Sequence, residues 1–404
     1  MSSVDPQRRV VSGMRPTGQL HLGHYHGVLK NWVKLQHEFE CFFFIADWHA
    51  LSTDYETAAG IRRSSRNLLI DWLAAGVNPG SATLFVQSQV PELAELHLLL
   101  SMITPTSWLE RVPGYKDQQE KLQDKNLSTY GFLGYPLLQS ADILAYRAGL
   151  VPVGGDQEAH IEIAREIARR FNHLYGREPG FEANAVAAVK KLGKKASALY
   201  QQMRSAYISH GDVEALQTAQ ALVKEQSNLT LADKERLLGY LEGIGKSILA
   251  EPRALLTSEA RMPGLDGQKM SKSYSNMIPL RAEPDDVAKK IRTMQTDPAR
   301  IRLSDAGDPE KCPVWHFHTV YSDEATCERV QTNCRSAAWG CLECKQPVTD
   351  AIIAEQAPIR ERAQQFEENP ELLARILAEG SERARDAVRS TMSDVREVMG
   401  LGYR

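Results

Sequence analysis

The residues best suited to chemistry lie near the N-terminus, in Thr17-Gly18-Gln19-Leu20-His21-Leu22-Gly23-His24. Two imidazoles three positions apart project from nearly one side of a first helical turn. A strand-like segment, Arg8–Met14, precedes them, and apolar residues at helical spacing follow through Leu35. That places the pair at a strand-to-helix turn, where backbone N–H groups attract phosphate. Imidazoles beside a nucleotide stabilise charge developing on a phosphoryl oxygen. Gly23, with no Cβ, lets a flat nucleobase approach the backbone. A second cationic signal lies far downstream in Gly267-Gln268-Lys269-Met270-Ser271-Lys272-Ser273. Two lysines flanking a serine, introduced by a glycine, make a loop able to close on a triphosphate and neutralise leaving pyrophosphate.

Between these motifs, Tyr135, Gln139 and Asp142 fall at i, i+4 and i+7, on one helix face, with Tyr146 one turn further on. A buried carboxylate there is an acceptor for an indole N–H, and equally for a phenol O–H. A hydrogen bond to a charged group contributes ~1.5–3 kcal/mol. A site built around such a donor rejects analogues lacking it by roughly 10⁴-fold or more. A third constellation is Cys312, Cys334, Cys341 and Cys344, spaced C-x21-C-x6-C-x2-C, with Cys327 as an extra and Cys41 far away in an apolar run. In a reducing compartment four such thiols read as ligands for zinc or an iron–sulfur cluster before disulfides.

The elements that must position these groups alternate. Cys41–Ala46 is a continuous apolar run, as for a strand buried on both faces. Ile61–Ala75 reads as an amphipathic helix stopped at Gly76, Thr83–Gln87 as a strand, Tyr135–Arg147 as a helix and Leu150–Val153 as a short strand. Residues 181–250 turn lysine-, glutamate- and alanine-rich with helical periodicity, and strand character returns at Ala254–Thr257. Asn369–Pro370 starts a last helix, with Asn as cap and Pro at the first helical position, and Gly380 is a candidate break in it. The expected fold is α/β: a Rossmann-type open parallel sheet with a C-terminal helical domain. The expected domains are residues 1–180, the first part of the catalytic domain; 181–252, a helical insertion; 253–285, its second part with the lysine loop; and 286–404, a helical domain with the cysteines.

The 404 residues, 43% hydrophobic and 25% charged, suit a globular protein of two or three domains. A net charge of −3 argues against a globally basic nucleic-acid binder, though not against a locally basic face. Lys190, Lys191, Lys194 and Lys195 form such a run. The N-terminus has no apolar signal region, and no apolar stretch is long enough for a membrane span, so cytoplasmic residence is expected.

His21-Leu22-Gly23-His24 followed by Lys269-Met270-Ser271-Lys272-Ser273 resembles the paired signatures of the class I aminoacyl-tRNA synthetases. Gly134-Tyr135-Pro136-Leu137-Leu138-Gln139-Ser140-Ala141-Asp142, with Val151-Pro152-Val153-Gly154-Gly155-Asp156-Gln157, is similar to the tryptophanyl branch of that family. The likeness covers most of residues 8–175 and 253–404. It implies activation of L-tryptophan by ATP with Mg²⁺, transfer to tRNA(Trp), and a homodimer. It implies catalytic roles for His21, His24, Lys269 and Lys272. Contacts to ATP would come from Arg15, Pro16, Thr17, Gly23, His24, Gly154, Asp156, Met262, Lys269, Met270, Ser271, Lys272 and Ser273. Tryptophan would be bound by Ala46, His49, Tyr135, Gln139, Asp142, Val151, Val153 and Gln157. Several family members carry methionine where this chain has Gln139. Members with a [4Fe–4S] cluster share a similar cysteine spacing, one residue longer in its first interval, which implies such a cluster here, with zinc as the alternative. Rival readings are a tyrosyl-tRNA synthetase, a nucleotidyltransferase with the paired-histidine motif, and a silent regulatory paralogue. Intact His21, His24, Lys269 and Lys272 count against the last.

Overall fold

The computed structural model of the protein describes residues 8–112, 129–154, 158–176, 180–243, 245–256, 262–271 and 274–403. Strands β1 (Arg9–Met14), β2 (Glu40–Ile45), β3 (Ala82–Val86), β4 (Leu150–Val153) and β5 (Arg253–Leu256) form one sheet in the order β3-β2-β1-β4-β5. β2 runs parallel to β3 with Cys41 opposite Ala82 through Ile45 opposite Val86, and β1 runs parallel to β4 with Val10 opposite Leu150. In β2 every residue after Glu40 is buried, as a continuous apolar run in a sheet covered on both faces requires.

Helices fill the connections. The segment after β1 is α1 (residues 22–35), with α-helical turns at Leu22–His24 and Lys30–Leu35 on either side of a π-turn at Tyr25–Leu29. Next come α2 (Asp47–Asp54), α3 (Ile61–Ala75), α4 (Glu92–Ser101), α5 (Tyr135–Leu144) and α6 (Glu158–Tyr175). Gly76 ends α3 at φ +109°, where its N–H bonds back to Leu73. α5 stops earlier than the apolar pattern predicts, and Arg147 takes a positive φ of 51°. Packing divides the chain into two compact units, residues 1–12, 87–255 and 382–404, and residues 13–86 and 256–381.

In the first unit, α7 (Phe181–Lys191), α8 (Lys194–His210), α9 (Val213–Glu225) and α10 (Leu231–Glu242) follow α6. They share a core of Ala188, Val189, Tyr200, Val223, Leu237 and Leu241, among others. Tyr200 Oη donates to the Leu237 carbonyl at 2.5 Å inside it. Of the lysine run, Lys191 is committed to Asp233 at 2.8 Å, while Lys190, Lys194 and Lys195 are exposed.

In the second unit, α11 (Pro284–Thr293), α12 (Pro313–Tyr321), α13 (Glu324–Arg335) and α14 (Cys341–Glu367) form the helical part, with α14 packed against α3, α11 and α12. The last helix, α15 (Pro370–Val398), begins as the sequence predicts, Asn369 Oδ1 accepting the Leu372 N–H at 3.1 Å. Gly380 does not break it. A Cβ there would lie 1.8 Å from the Leu84 carbonyl oxygen, so the glycine lets α15 lie directly on the β3 backbone. Gly380→Ala is therefore expected to lower the free energy of unfolding by about 1–3 kcal/mol, read as a reduced urea midpoint at unchanged slope.

Candidate active site

The nucleotide motifs lie together in the second unit. After β1 the chain turns through Thr17, whose N–H bonds to the Arg15 carbonyl at 2.8 Å, and Gly18 at φ +104°. The Arg15 guanidinium bonds Thr53 and reaches Asp54 at 3.4 Å, so it is held in place beside the motif. His21 caps α1 with extended backbone. Its ring lies 3.9 Å from that of His24, centroid to centroid, and its N–H points to His24 Nδ1 at 3.4 Å. The pair therefore shares one face of the first turn, as the i, i+3 spacing predicts.

The lysine loop is tied to this helix start by backbone. Leu22 N donates to the Ile278 carbonyl at 3.1 Å, Leu280 N donates to the Leu20 carbonyl at 2.9 Å, and His21 bridges Pro279 antiparallel. The residues after the loop thus form a short ladder with the residues around the first histidine. The first N–H of the helix is spent on that ladder and is not free for phosphate. Asp71, buried on α3, binds both sides of the ladder: it accepts the Leu20 N–H at 3.3 Å and pairs with Arg281 at 2.6 Å. A Cβ on Gly23 would meet the His21 ring at 3.0 Å and Met270 Cβ at 3.4 Å, so this glycine also lets the loop rest on the helix.

Within the loop, Lys269 bridges Pro263, and Gly264 N donates to the Gln268 carbonyl at 2.6 Å. Asn276, buried, binds the turn from inside. Its Oδ1 accepts the Ser271 N–H at 2.8 Å, and its Nδ2 donates to Asp266 at 2.8 Å and to the Lys269 carbonyl at 3.1 Å. Met262 and Met270 are buried beneath. Lys272 and Ser273 lie outside the described residues. Pro16 and Thr17 sit in the turn before the histidines, and Ala46 and His49 are buried where β2 passes into α2.

The polar groups of the proposed indole pocket lie in the first unit, on α5. Asp142 is 1% exposed, and Gln87, fully buried just beyond β3, donates from one amide nitrogen to both carboxylate oxygens, at 2.8 and 2.9 Å. Sequence reading missed Gln87; its only signal is a lone amide directly after the apolar strand Ala82–Val86. The Tyr146 phenol is also buried, and burial first, then the charges of Asp142 and Glu92, push its pKa well up, so it stays protonated. Gln139 and Tyr135 are half-buried. Gln139 Oε1 lies 2.7 Å from His160 Nδ1, whose ring meets that of Tyr135 edge-on at 6.0 Å. Val151 and Val153 share one face of β4, and Gly154 ends it in solvent. Asp156 and Gln157 lie outside the described residues.

The four spaced cysteines gather at helix ends in the second unit. Cys312 caps α12, Cys334 lies in the last turn of α13, and Cys341 and Cys344 occupy the first turn of α14. Burial first, then the neighbouring thiols of Cys312, Cys334 and Cys341, pushes Cys344 up to about 12. All four therefore lie within one another's field, whereas Cys327 points to the His318 and Ser322 carbonyls. Among the described residues no three metal-binding side chains are drawn to common ligand distance.

A histidine pair and a lysine loop laced into one backbone ladder beside an open parallel sheet define a class I nucleotide-binding catalytic domain. The family profile described as tRNA synthetases class I (W and Y) matches residues 5–205 and 233–355, and the chain belongs to that family. The match skips only 206–232 between its ends, so the family pattern runs through much of the α7–α10 region. The chain is 63% identical to a tryptophan–tRNA ligase of Ralstonia nicotianae over 98% of its own length and 99% of the relative's. It is 40% identical to that of Thermotoga maritima over 98% of this chain and all of the relative. Its structure is similar to tryptophanyl-tRNA synthetase from Campylobacter jejuni complexed with ADP and tryptophan, at TM-score 0.73 and 27% identity, covering 97% of this chain and 100% of the other.

Because Asn276 satisfies three groups across the lysine loop, Asn276→Ala is expected to loosen it while leaving the tryptophan pocket intact. The rate of adenylate formation should fall roughly 10-fold or more at unchanged tryptophan affinity. Stopped-flow measurement of the adenylate burst checks this, and a wild-type burst would remove the loop role.

Proposed function

We infer that the chain is a tryptophan–tRNA ligase, which activates L-tryptophan with ATP and transfers it to tRNA(Trp). The observation that carries the substrate is its likeness, over nearly the whole chain, to tryptophan–tRNA ligases. The geometry supplies the chemistry. A carboxylate oxygen of tryptophan attacks the α-phosphorus of ATP, taken as its magnesium complex. The bond from that phosphorus to the bridging oxygen breaks, and pyrophosphate leaves with the electron pair. His21 and His24 steady the charge growing on the phosphoryl oxygens, and Lys269 and Lys272 that on pyrophosphate. Arg15, Pro16, Thr17, Gly23, Met262, Met270, Ser271 and Ser273 line the nucleotide, with Gly154 and Asp156 at the ribose. A terminal ribose hydroxyl of the tRNA then attacks the adenylate carbonyl carbon, AMP departs with the bond pair, and the hydroxyl proton is released.

Tryptophan selection rests on Asp142 as acceptor for the indole N–H, with Ala46, His49, Val151, Val153 and Gln139 as further tryptophan-binding residues, and Tyr135 and Gln157 as those that bind the ammonium. The arrangement of Asp142 supports this: the carboxylate is buried on α5 and Gln87 holds both of its oxygens in one orientation. We further read Cys312, Cys334, Cys341 and Cys344 as ligands of a [4Fe–4S] cluster, with zinc as the alternative. When bound, such a group crosslinks the ends of α12, α13 and α14. A homodimer in the cytoplasm belongs to the same reading, supported by exposed Leu98 and Met102 on and after α4 and by Tyr130, whose ring lies 6.3 Å from that of His97. Among the described residues no helix is long and apolar enough to cross a membrane.

ATP–pyrophosphate exchange run separately with tryptophan, tyrosine and phenylalanine tests the function. Exchange with tryptophan alone is expected, and exchange with tyrosine would overturn the substrate. In the same assay Asp142→Ala should raise the tryptophan KM roughly 10- to 100-fold, the loss of one charged hydrogen bond, at unchanged ATP KM. An unmoved tryptophan KM would remove the indole role. Protein purified without oxygen should carry about four irons per chain and brown colour that Cys341→Ser abolishes. Zinc in place of iron would overturn the cluster, and colour kept by the variant would overturn that ligand.

A further inference from the structure

Just past the two histidines, α1 opens into the π-turn Tyr25–Leu29. Such turns are rare, occur mostly as single turns inside α-helices, and are frequent at functional sites. This one turns His26, 5% exposed, inward. His26 Nε2 lies 3.0 Å from Glu355 Oε2 and 2.9 Å from Tyr321 Oη. Tyr321 Oη donates to the same carboxylate oxygen at 2.8 Å, and Lys30 Nζ holds the other at 2.9 Å. Glu355 on α14 thus gathers partners from within the π-turn, from the residue just after it and from the end of α12. Burial works to raise its pKa, but the hydrogen bonds from His26, Lys30 and Tyr321 hold it at about 2. The next residue, Gln356, donates to the Pro279 carbonyl at 2.9 Å, and Pro279 is the residue that bridges His21. Adjacent positions of one helix therefore hold the segment after His24 and the strand opposite His21.

We propose that Glu355 is a positioning residue for adenylate formation, fixing the π-turn and through it the orientation of His21 and His24. This rests on the reading that those histidines face the triphosphate. A buried carboxylate is a poor way to gain stability, because its desolvation cost offsets most of what its partners return. What it provides is direction: donors from three places converge on one group, and α1 has one register in which they meet. Catalytic groups misplaced by about 1 Å lose on the order of 10²-fold in rate.

The test is single-turnover adenylate formation with wild type, Glu355→Gln and Tyr321→Phe, alongside equilibrium binding of ATP and tryptophan and thermal unfolding. Glu355→Gln keeps the side-chain size but turns an N–H₂ toward a donor. It should lose about 10²-fold in the adenylate rate, and Tyr321→Phe a smaller factor, with both dissociation constants and the melting temperature retained. Full rate in both variants, or a rate loss matched by lost binding or melting, would overturn the proposal. If Glu355→Gln does not fold, Tyr321→Phe decides alone. His24→Ala, run in parallel, tests the underlying reading separately: wild-type rate in that variant would sink the histidine role, whatever Glu355 does.

Discussion

The second unit depends on one constraint, the satisfaction of irregular backbone by the side chains of α14. The segment from Ile278 to Ala282 must leave regular structure to reach the lysine loop, and carbonyls there need partners. α14 supplies them: Gln356 bonds the Pro279 carbonyl, Arg360 that of Ala282, and Arg362 that of Ala74 at the end of α3. Nearer its start, Lys345, buried, donates to the carbonyls of Arg292 and Met294 where α11 ends. A single 27-residue helix thus caps one helix end, pins another and holds one edge of the ladder that joins the histidine and lysine motifs. It does so although Pro347 and Pro358 lie within it, each removing one helical N–H donor.

That dependence explains which parts were legible in the sequence. Local signals read well because their physics is local. The run Cys41–Ala46 became a buried strand, Gly76 ended α3, and Asn369 capped α15. The histidine and lysine motifs were legible as local patterns for the same reason, and the backbone ladder brings them together. The supporting polar residues were not. Gln87, Asn276 and Glu355 are single side chains whose partners lie elsewhere in the chain, and nothing in their neighbours distinguishes them from surface residues. Gly380 shows the same limit from the other side. As a sequence signal it reads as a break, yet its meaning is a carbonyl of β3 that only the fold brings against it.

The carboxylate of Asp142 shows why the support matters as much as the acceptor. Alone, a buried carboxylate on α5 would accept a phenol as readily as an indole N–H. Gln87 binds both oxygens from one amide nitrogen, which holds the carboxylate in one orientation. Gln139 fits the same logic. Its amide oxygen lies 2.7 Å from His160 Nδ1, and the His160 ring in turn packs edge-on against Tyr135.

α14 also carries two of the four spaced cysteines. Its first turn carries Cys341 and Cys344, and Glu355 lies eleven residues further along, ~16 Å at 1.5 Å per residue. The elements that meet at the cysteines are α12, α13 and α14, and those that meet at Glu355 are α12, through Tyr321, α14 and α1. α12 and α14 are joined twice, once where His318 Nε2 meets the Cys344 carbonyl at 2.9 Å and once through Tyr321 and Glu355 beside the histidines. Two separated attachments between the same pair of helices fix their relative rotation, which one attachment cannot do.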